Sequence, residues 1–177
     1  MTQHAEPLGR VRNFSLLKLL GKGTIGMVYE GRREEGGLIC AIKKLDMRRL
    51  NKLERADAVS ELQVIASVQG PHLITIYDVF IEADMLYIVT ELAANGNLFN
   101  YMKLARRRGC LSEPIVWSFF IQMCLGIRML HEKDILHHDI KAENVFLCSD
   151  MHVKLGDLGV LRVQDALARP QVPYYVA

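Results

Sequence analysis

Short runs of apolar and polar residues, separated by polar turns, fill the first half of the chain. The second and third runs flank Gly36-Gly37, and the last two flank a turn at residues 82–84. β-Branched and aromatic residues around polar turns are typical of β-hairpins, so the pattern predicts an antiparallel sheet. The runs are residues 14–20, 27–29, 38–42, 73–80 and 85–90.

Apolar residues recur every three or four positions elsewhere, which predicts helices. The helical segments are residues 52–68, 98–107 and 112–133, and two short strands are predicted at 145–147 and 152–155. Ser112 is a predicted N-cap, with Pro114 in the first turn. Several faces of the segment 112–133 are apolar, so we expect this helix to be deeply buried. The change from strands to helices at residues 91–97 indicates an α+β fold with a boundary there.

The composition is that of a globular protein. Half of the 177 residues are apolar and 24% are charged, and a net charge of +2 gives no reason to expect nucleic acid or a membrane as a partner. The apolar run 115–130 contains Arg128 and is expected to be too polar and too short to cross a bilayer. With no signal peptide and no CxxC motif among the four cysteines, we expect reduced thiols in an intracellular, cytoplasmic protein.

The segment 21–31 contains the pattern GxGxxG, which alone is a weak signal. A dinucleotide-binding turn must run into a helix, whereas strand-like sequence follows here. We therefore place the glycines in the bend of a hairpin, where backbone N–H groups can approach phosphate oxygens. Lys43 ends the next strand and is a candidate phosphate ligand. Glu61 lies beside the apolar face of the helix 52–68 and is a candidate partner for Lys43.

The polar loop 136–144 lies between two apolar runs and contains Asp139, Lys141 and Asn144. Asp157 follows in another apolar setting. Two acids, a cation and an amide on neighbouring loops indicate metal-assisted chemistry on a phosphate.

Five motifs occur in the order found in protein kinases. They are GKGTIGMV at residues 21–28, AIK at 41–43, the helical Glu61, HHDIKAEN at 137–144 and DLG at 157–159. Over residues 14–177 the chain resembles the eukaryotic Ser/Thr protein kinases and is most similar to the NIMA-related group. The resemblance implies a two-lobed protein-kinase-like α+β fold. Its parts are an N-lobe of antiparallel sheet plus one helix at 14–90, a hinge at 91–97 and a partial, mainly helical C-lobe at 98–177.

The resemblance also implies ATP and Mg²⁺ as cofactors and protein substrates as partners, and it leaves the oligomeric state open. Asp139 is expected to accept the substrate hydroxyl proton, Lys141 to steady the transferring phosphoryl group, and Asn144 and Asp157 to hold Mg²⁺. The residues expected around ATP are Gly21, Lys22, Gly23, Thr24, Gly26, Val28, Ala41, Lys43, Glu61, Thr90, Glu91, Ala93 and Phe146. A buried column linking the lobes is expected from Ile65, Ile76, His137 and Leu158.

Three departures from the family pattern modify this interpretation. His138 stands where the family has an arginine that pairs with a phosphate, and residues 157–177 contain no Ser or Thr. Activation without Ser/Thr phosphorylation of this segment is therefore expected. The chain ends at Ala177, before the family's remaining helices, so part of the apolar face of 115–130 is expected to lack cover. The alternatives are an active kinase and a catalytically weak nucleotide-binding or scaffold module.

Overall fold

The computed structural model describes residues 6–22, 26–107, 109 and 111–158. In the first half, a six-stranded sheet packs against one helix. Its strands are β1 (Gly9–Val11), β2 (Phe14–Lys22), β3 (Gly26–Arg33), β4 (Ile39–Asp46), β5 (Ile76–Glu82) and β6 (Met85–Glu91), and the helix is α1 (Lys52–Ala66). All neighbouring strands are antiparallel, in the order β1-β2-β3-β4-β6-β5. The predicted antiparallel sheet with one helix is confirmed.

The second half is mainly helical in its described part. It contains α2 (Leu98–Ala105), α3 (Glu113–His131), a 3-10 turn (Ala142–Asn144) and a hairpin of β7 (Val145–Leu147) and β8 (Val153–Leu155). These elements agree with the predicted α+β, two-lobed fold. The division into domains at residues 91–97 stays a prediction.

Two strand assignments from the sequence were incomplete. The run 73–80 does not form one strand, because its first residues pair with β8 while β5 begins at Ile76. There the Ile74 N–H donates to the Leu155 carbonyl at 2.8 Å, and the Leu155 N–H donates to the His72 carbonyl at 2.9 Å. This run therefore joins the two halves of the chain. Strand β1 was not predicted at all.

Alternate residues of the sheet enter two different cores. On one face, β4, β5 and β6 pack against α1 through Leu45, Met47, Leu50, Ala58, Leu62, Val79, Leu86 and Ile88. On the other face lie Val11, Phe14, Leu16, Cys40, Ile42, Phe80, Tyr87 and Val89. A third core joins α3 to the β7–β8 hairpin, and it contains Ile65 and Leu158 with Ile76 packed against it. Three residues of the predicted column therefore share this core, and His137 is also buried.

Helix α3 is less buried than its sequence predicts. Its buried residues are Phe119, Gly126 and Leu130. The expectation of a deeply buried helix is wrong, and the expectation of an uncovered apolar face is confirmed. That face, called here the α3 face, consists of Ile115, Val116, Trp117, Phe120 and Ile121, each between 38% and 54% exposed.

By length and composition alone, α3 also meets the requirements for crossing a membrane, with 19 residues and a mean hydropathy of 1.2. The expectation that this run is too short and too polar is therefore wrong on that criterion. In this structure one side of α3 packs in the core that it shares with β7 and β8.

The first two helices have side-chain caps, whereas α3 has none. Asn51 accepts hydrogen bonds from Leu53 N and Glu54 N at 2.9 and 3.0 Å, and Glu54 accepts from Asn51 N at 2.9 Å. This capping box fixes the start of α1. Asn97 caps α2 by accepting from Asn100 N at 3.0 Å. Ser112 occupies the N-cap position of α3 but forms no side-chain cap hydrogen bond, so the predicted capping bond is absent.

Candidate active site

A cleft of about 780 Å³ lies between the six-stranded sheet and the β7–β8 hairpin. Residues 91–97 close one edge of it, and Asp157 lies at the inner end with Lys43. The predicted ATP-site residues that line this cleft are Gly21, Lys22, Val28, Ala41, Lys43, Thr90, Glu91, Ala93 and Phe146, and the predicted metal ligands Asn144 and Asp157 line it as well. The fold thus brings together side chains from distant parts of the sequence.

The glycine-rich segment forms the predicted hairpin between β2 and β3. Gly21 pairs with Val28 and Lys22 with Met27 across the two antiparallel strands. Gly23 and Thr24 lie outside the described residues. A Cβ added at Gly21 would meet no heavy atom within 4 Å, which leaves the backbone accessible from the cleft.

The packing of neighbouring strands requires a glycine at position 26. It pairs with Leu45 of β4, and an added Cβ would collide with the Lys44 carbonyl oxygen and lie 2.6 Å from Leu45 Cδ2. Close packing between β3 and β4 therefore requires glycine here, whatever binds in the cleft.

Lys43 and Asp157 form an ion pair at the inner end of the cleft. Lys43 is held in β4 by pairing with Val28 and Ile88, and its Nζ lies 2.8 Å from Asp157 Oδ2. The lysine side chain is 16% exposed and the aspartate side chain 37%. Asp157 has a left-handed backbone with a φ of 58°, a conformation that aspartate tolerates better than most residues. Glu61 is half-buried on α1, next to the buried Leu62.

Asp139 is held by two neighbours from its own loop. Its Oδ2 lies 2.7 Å from Lys141 Nζ and accepts from Asn144 Nδ2 at 2.9 Å. The same Nδ2 donates to the Asp139 carbonyl at 2.9 Å, and Asn144 is 4% exposed. The hydrogen bond from Lys141, helped by that from Asn144, lowers the pKa of Asp139. The carboxylate is therefore ionised at neutral pH, and the same bond raises the pKa of Lys141.

The two histidines before Asp139 lie in different environments. His137 is 5% exposed, and its Nδ1 accepts from the Asp139 N–H at 3.3 Å. Its Nε2 is buried without a hydrogen-bond partner among the described residues, and burial lowers the pKa of the ring. His138 is exposed and has a φ of 65°, in the left-handed region. The loop therefore turns sharply between the buried histidine and the carboxylate.

The segment that closes the cleft is tied to both sheets. The Glu91 N–H donates to the Thr75 carbonyl at 2.9 Å, and the Asn95 N–H donates to the Leu147 carbonyl at 3.0 Å. The Leu147 N–H in turn donates to the Gly96 carbonyl at 2.8 Å. Because the Glu91 N–H is already used, a purine hydrogen-bonded to this segment would need other backbone groups of residues 91–93.

Several residues that line the cleft, or that bond to a residue lining it, were missed by the sequence interpretation. Gly156 precedes Asp157, and an added Cβ would lie 2.6 Å from Phe146 Cε2, so the backbone here lies directly against the floor of the cleft. Asn97, Asn100 and Glu143 line its outer part. Lys154, whose Nζ lies 2.6 Å from Glu91 Oε1, was also missed. Period-two alternation in β8 could have indicated that Lys154 lies on one face while Val153 and Leu155 lie on the other.

Comparisons with known proteins agree with this geometry. The model of the protein kinase domain matches residues 14–172. Serine/threonine-protein kinase Nek5 of Mus musculus is 33% identical over 172 residues, which cover 93% of this chain and 26% of that protein. Nek1 of the same species is 32% identical over 166 residues, which cover 91% of this chain and 14% of Nek1.

The similarity extends to another kinase group. The serine/threonine-protein kinase SIK2 of Gallus gallus is 35% identical over 150 residues, which cover 85% of this chain and 18% of SIK2. The chain thus spans about a quarter or less of the length of these relatives. The matches to Nek5 and Nek1 confirm the predicted similarity to NIMA-related (Nek) kinases. The chain belongs to the protein kinase domain family.

Proposed function

We propose that this chain transfers the γ-phosphoryl group of ATP, with Mg²⁺, to serine or threonine hydroxyls of protein substrates. The observation that carries the proposal is a set of two ion pairs, one at the inner end of the cleft and one joined to the cleft through Asn144, which lines it. Asp139 is held by Lys141 and Asn144, and Asp157 is paired with Lys43. Phosphoryl transfer requires mainly positioning and charge stabilisation, which such an arrangement can supply.

The cleft fits a nucleotide in size and polarity. Its volume of about 780 Å³ is within the range usual for ligand pockets. Apolar side chains line both walls near residues 91–97, whereas the Lys43–Asp157 ion pair lies at the inner end. Val28 and Ala41 belong to one wall and Phe146 to the other. A flat base would therefore lie between these walls, with phosphates toward Lys43.

The polar groups at the inner end fit Mg²⁺. Asn144 Nδ2 donates to two oxygens of Asp139, so the amide is oriented with Oδ1 as its remaining acceptor. Asp157 adds a carboxylate, and hard oxygen ligands suit this ion. Among the described residues no group of three or more His, Cys, Asp or Glu side chains could hold a metal. A site here would therefore use Asn144, Asp157 and phosphate oxygens, as is usual for Mg²⁺ bound with a nucleotide.

Each protein group has a role in the proposed reaction. The ionised Asp139 orients the acceptor hydroxyl and accepts its proton, and Lys141 places a positive charge beside the phosphoryl oxygens. Lys43 binds the phosphates of the nucleotide. Bound Mg²⁺ would neutralise charge on the phosphates.

The proposal is tested by measuring phosphoryl transfer from ATP to a protein substrate by wild type and the Asp139→Asn variant. Loss of a general base lowers kcat by about 10²- to 10⁴-fold. Asp57→Asn is the matched control, because Asp57 is exposed on α1 and does not line the cleft. Equal rates for wild type and Asp139→Asn would exclude Asp139 as the base.

A catalytically weak nucleotide-binding module is the second candidate. It is favoured by His138 in place of the family's arginine and by the lack of Ser and Thr in residues 157–177. Residues 159–177 lie outside the described part of the chain. A wild-type protein that binds ATP but transfers no phosphate would support this candidate. Activity of unphosphorylated protein would instead support a kinase that needs no phosphate on this segment.

A further inference from the structure

Glu91 uses its side chain as well as its backbone to hold the edge of the cleft. Its Oε1 lies 2.6 Å from Lys154 Nζ and accepts from the Thr75 N–H at 2.7 Å. The Glu91 N–H donates back to the Thr75 carbonyl at 2.9 Å. One carboxylate oxygen thus joins three segments: the end of β6, the residue before β5, and β8.

The pair is shielded from solvent. The side chains of Lys154 and Glu91 are 16% and 19% exposed. Breaking an ion pair of this kind is strongly destabilising, because removing one partner leaves a charge without compensation in a poorly solvated site. Exposed ion pairs such as Arg128–Glu132, at 69% and 62% exposure, lack this property.

The position of Lys154 in β8 places the Glu91–Lys154 ion pair close in the chain to Phe146 and Asp157, two residues that line the cleft. Lys154 lies directly opposite Phe146 in the antiparallel β7–β8 hairpin, so the two side chains lie on the same face. Phe146 lines the cleft. Three residues after Lys154 the chain reaches Asp157, which is bonded to Lys43.

We propose that Glu91 and Lys154 are positioning residues that fix residues 91–93 relative to Phe146 and Asp157, and that their ion pair sets the affinity for the nucleotide. The inference rests on the proposed nucleotide-binding function. Lys154 acts only through Glu91 and the strand that carries it. Without the ion pair, the base-binding and phosphate-binding ends of the cleft are no longer held at a fixed separation.

The test compares three single variants in the purified protein. Glu91→Gln keeps an acceptor for Thr75 N–H but removes the charge, Lys154→Met removes the partner charge, and Lys154→Arg keeps it. We measure the Kd for ADP with Mg²⁺ by calorimetry, together with KM and kcat for ATP. Glu91→Gln and Lys154→Met are expected to weaken ADP binding about tenfold. In Lys154→Met, which changes a side chain that does not line the cleft, kcat is expected to change less than about threefold. Lys154→Arg is expected to stay within about threefold of wild type.

The double variant Glu91→Gln/Lys154→Met removes both charges and is expected to bind ADP no more weakly than either single variant, because the two groups act as a unit. Arg128→Met and Glu132→Gln are the controls for loss of an ion pair away from the cleft. Thermal unfolding of each variant establishes that it is folded.

The outcomes separate this inference from the proposed function. An unchanged Kd for ADP in Glu91→Gln and Lys154→Met would overturn the inference. A loss of affinity that Lys154→Arg shares, or a fall in kcat at constant Kd and KM, would also overturn it. Wild-type protein that binds ADP but transfers no phosphate would overturn the proposed reaction, while the Kd values would still decide the role of the ion pair.

Discussion

His137 and Asp139 are coupled through the backbone of their loop. His137 Nδ1 accepts the Asp139 N–H, so the neutral tautomer carries its proton on the buried Nε2. A protonated ring would lose this acceptor and would place a charge in a site that is 5% exposed. Burial accordingly lowers the pKa of His137. The neutral ring is the form that can accept the hydrogen bond from the Asp139 backbone N–H.

We therefore predict that the free energy of unfolding falls as pH decreases below about 6.5, the ordinary pKa of histidine. The folded-state pKa of His137 is lowered, so the unfolded chain binds the proton first and the stability present above that pH is lost. Urea unfolding at a series of pH values measures the effect. His137→Asn keeps an acceptor but does not titrate, and it should show a weaker pH dependence than wild type.

His131→Asn is the control, because His131 is exposed at the end of α3 and the substitution replaces an imidazole without changing a buried site. This variant should retain the wild-type dependence. A His137→Asn profile that matches that of wild type over the same pH range would contradict the prediction.

Among the elements, the starts of α1 and α3 differ although both have a good N-cap residue. Asn51 satisfies two backbone N–H groups at the start of α1, whereas Ser112 satisfies none at the start of α3. In α3, Ile115 N and Val116 N instead donate to the Ser112 carbonyl at 3.1 and 3.2 Å. The same residue class thus contributes differently to the two helices.

We predict that Asn51→Ala lowers the free energy of unfolding by about 1 kcal/mol, because two N–H groups lose their acceptor. Ser112→Ala should change it by less than about 0.5 kcal/mol, as for surface substitutions that remove no bond. Chemical denaturation of both variants provides the measurement. Equal losses at the two positions would show that Ser112 caps α3 in solution.

Gly126 explains how α3 can lie so close to the first half of the chain. An added Cβ would lie 2.8 Å from the His72 carbonyl oxygen and 3.0 Å from Leu155 Cδ1. Since that carbonyl accepts from Leu155 N, backbone groups of α3, β8 and the segment before β5 meet at one glycine. Helical periodicity could not indicate this contact, because a glycine in an apolar run carries no sign of its partner.

At the scale of the molecule, the α3 face exposes five large apolar side chains on one helix. Trp117 and Phe120 pack edge to face with centroids 5.9 Å apart, and both are more than half exposed. Adjacent exposed aromatic rings favour association, because burying them removes apolar area from water.

We predict that this chain associates with itself as its concentration rises, and that Phe120→Glu reduces the association by placing a charge in the α3 face. Sedimentation velocity at several concentrations measures the weight-average mass. Leu53→Glu is the matched control, since Leu53 is 77% exposed on α1, away from the α3 face. A wild-type chain that stays monomeric at all concentrations would contradict the prediction.

The sequence predicted much of the fold, because hairpins and amphipathic helices depend on local periodicity. The elements around Lys43, Asp139 and Asp157 were placed correctly. The pairing of residues 73–74 with β8 could not be predicted, since the same apolar residues suit either partner. The Glu91–Lys154 pair was missed for a related reason, because 63 positions separate the two residues. Alternation in β8 indicates the face on which Lys154 lies but not the residue that it contacts.

The Lys43–Asp157 ion pair has a thermodynamic consequence for ligand binding. In the proposed function, the lysine binds an anion and the aspartate a cation, so each must exchange one partner for another. A cation on Asp157 would release Lys43 for phosphate, and phosphate on Lys43 would release Asp157 for the cation. In the proposed function the two ligands would therefore be heterotropically linked, each raising the affinity for the other by the same factor.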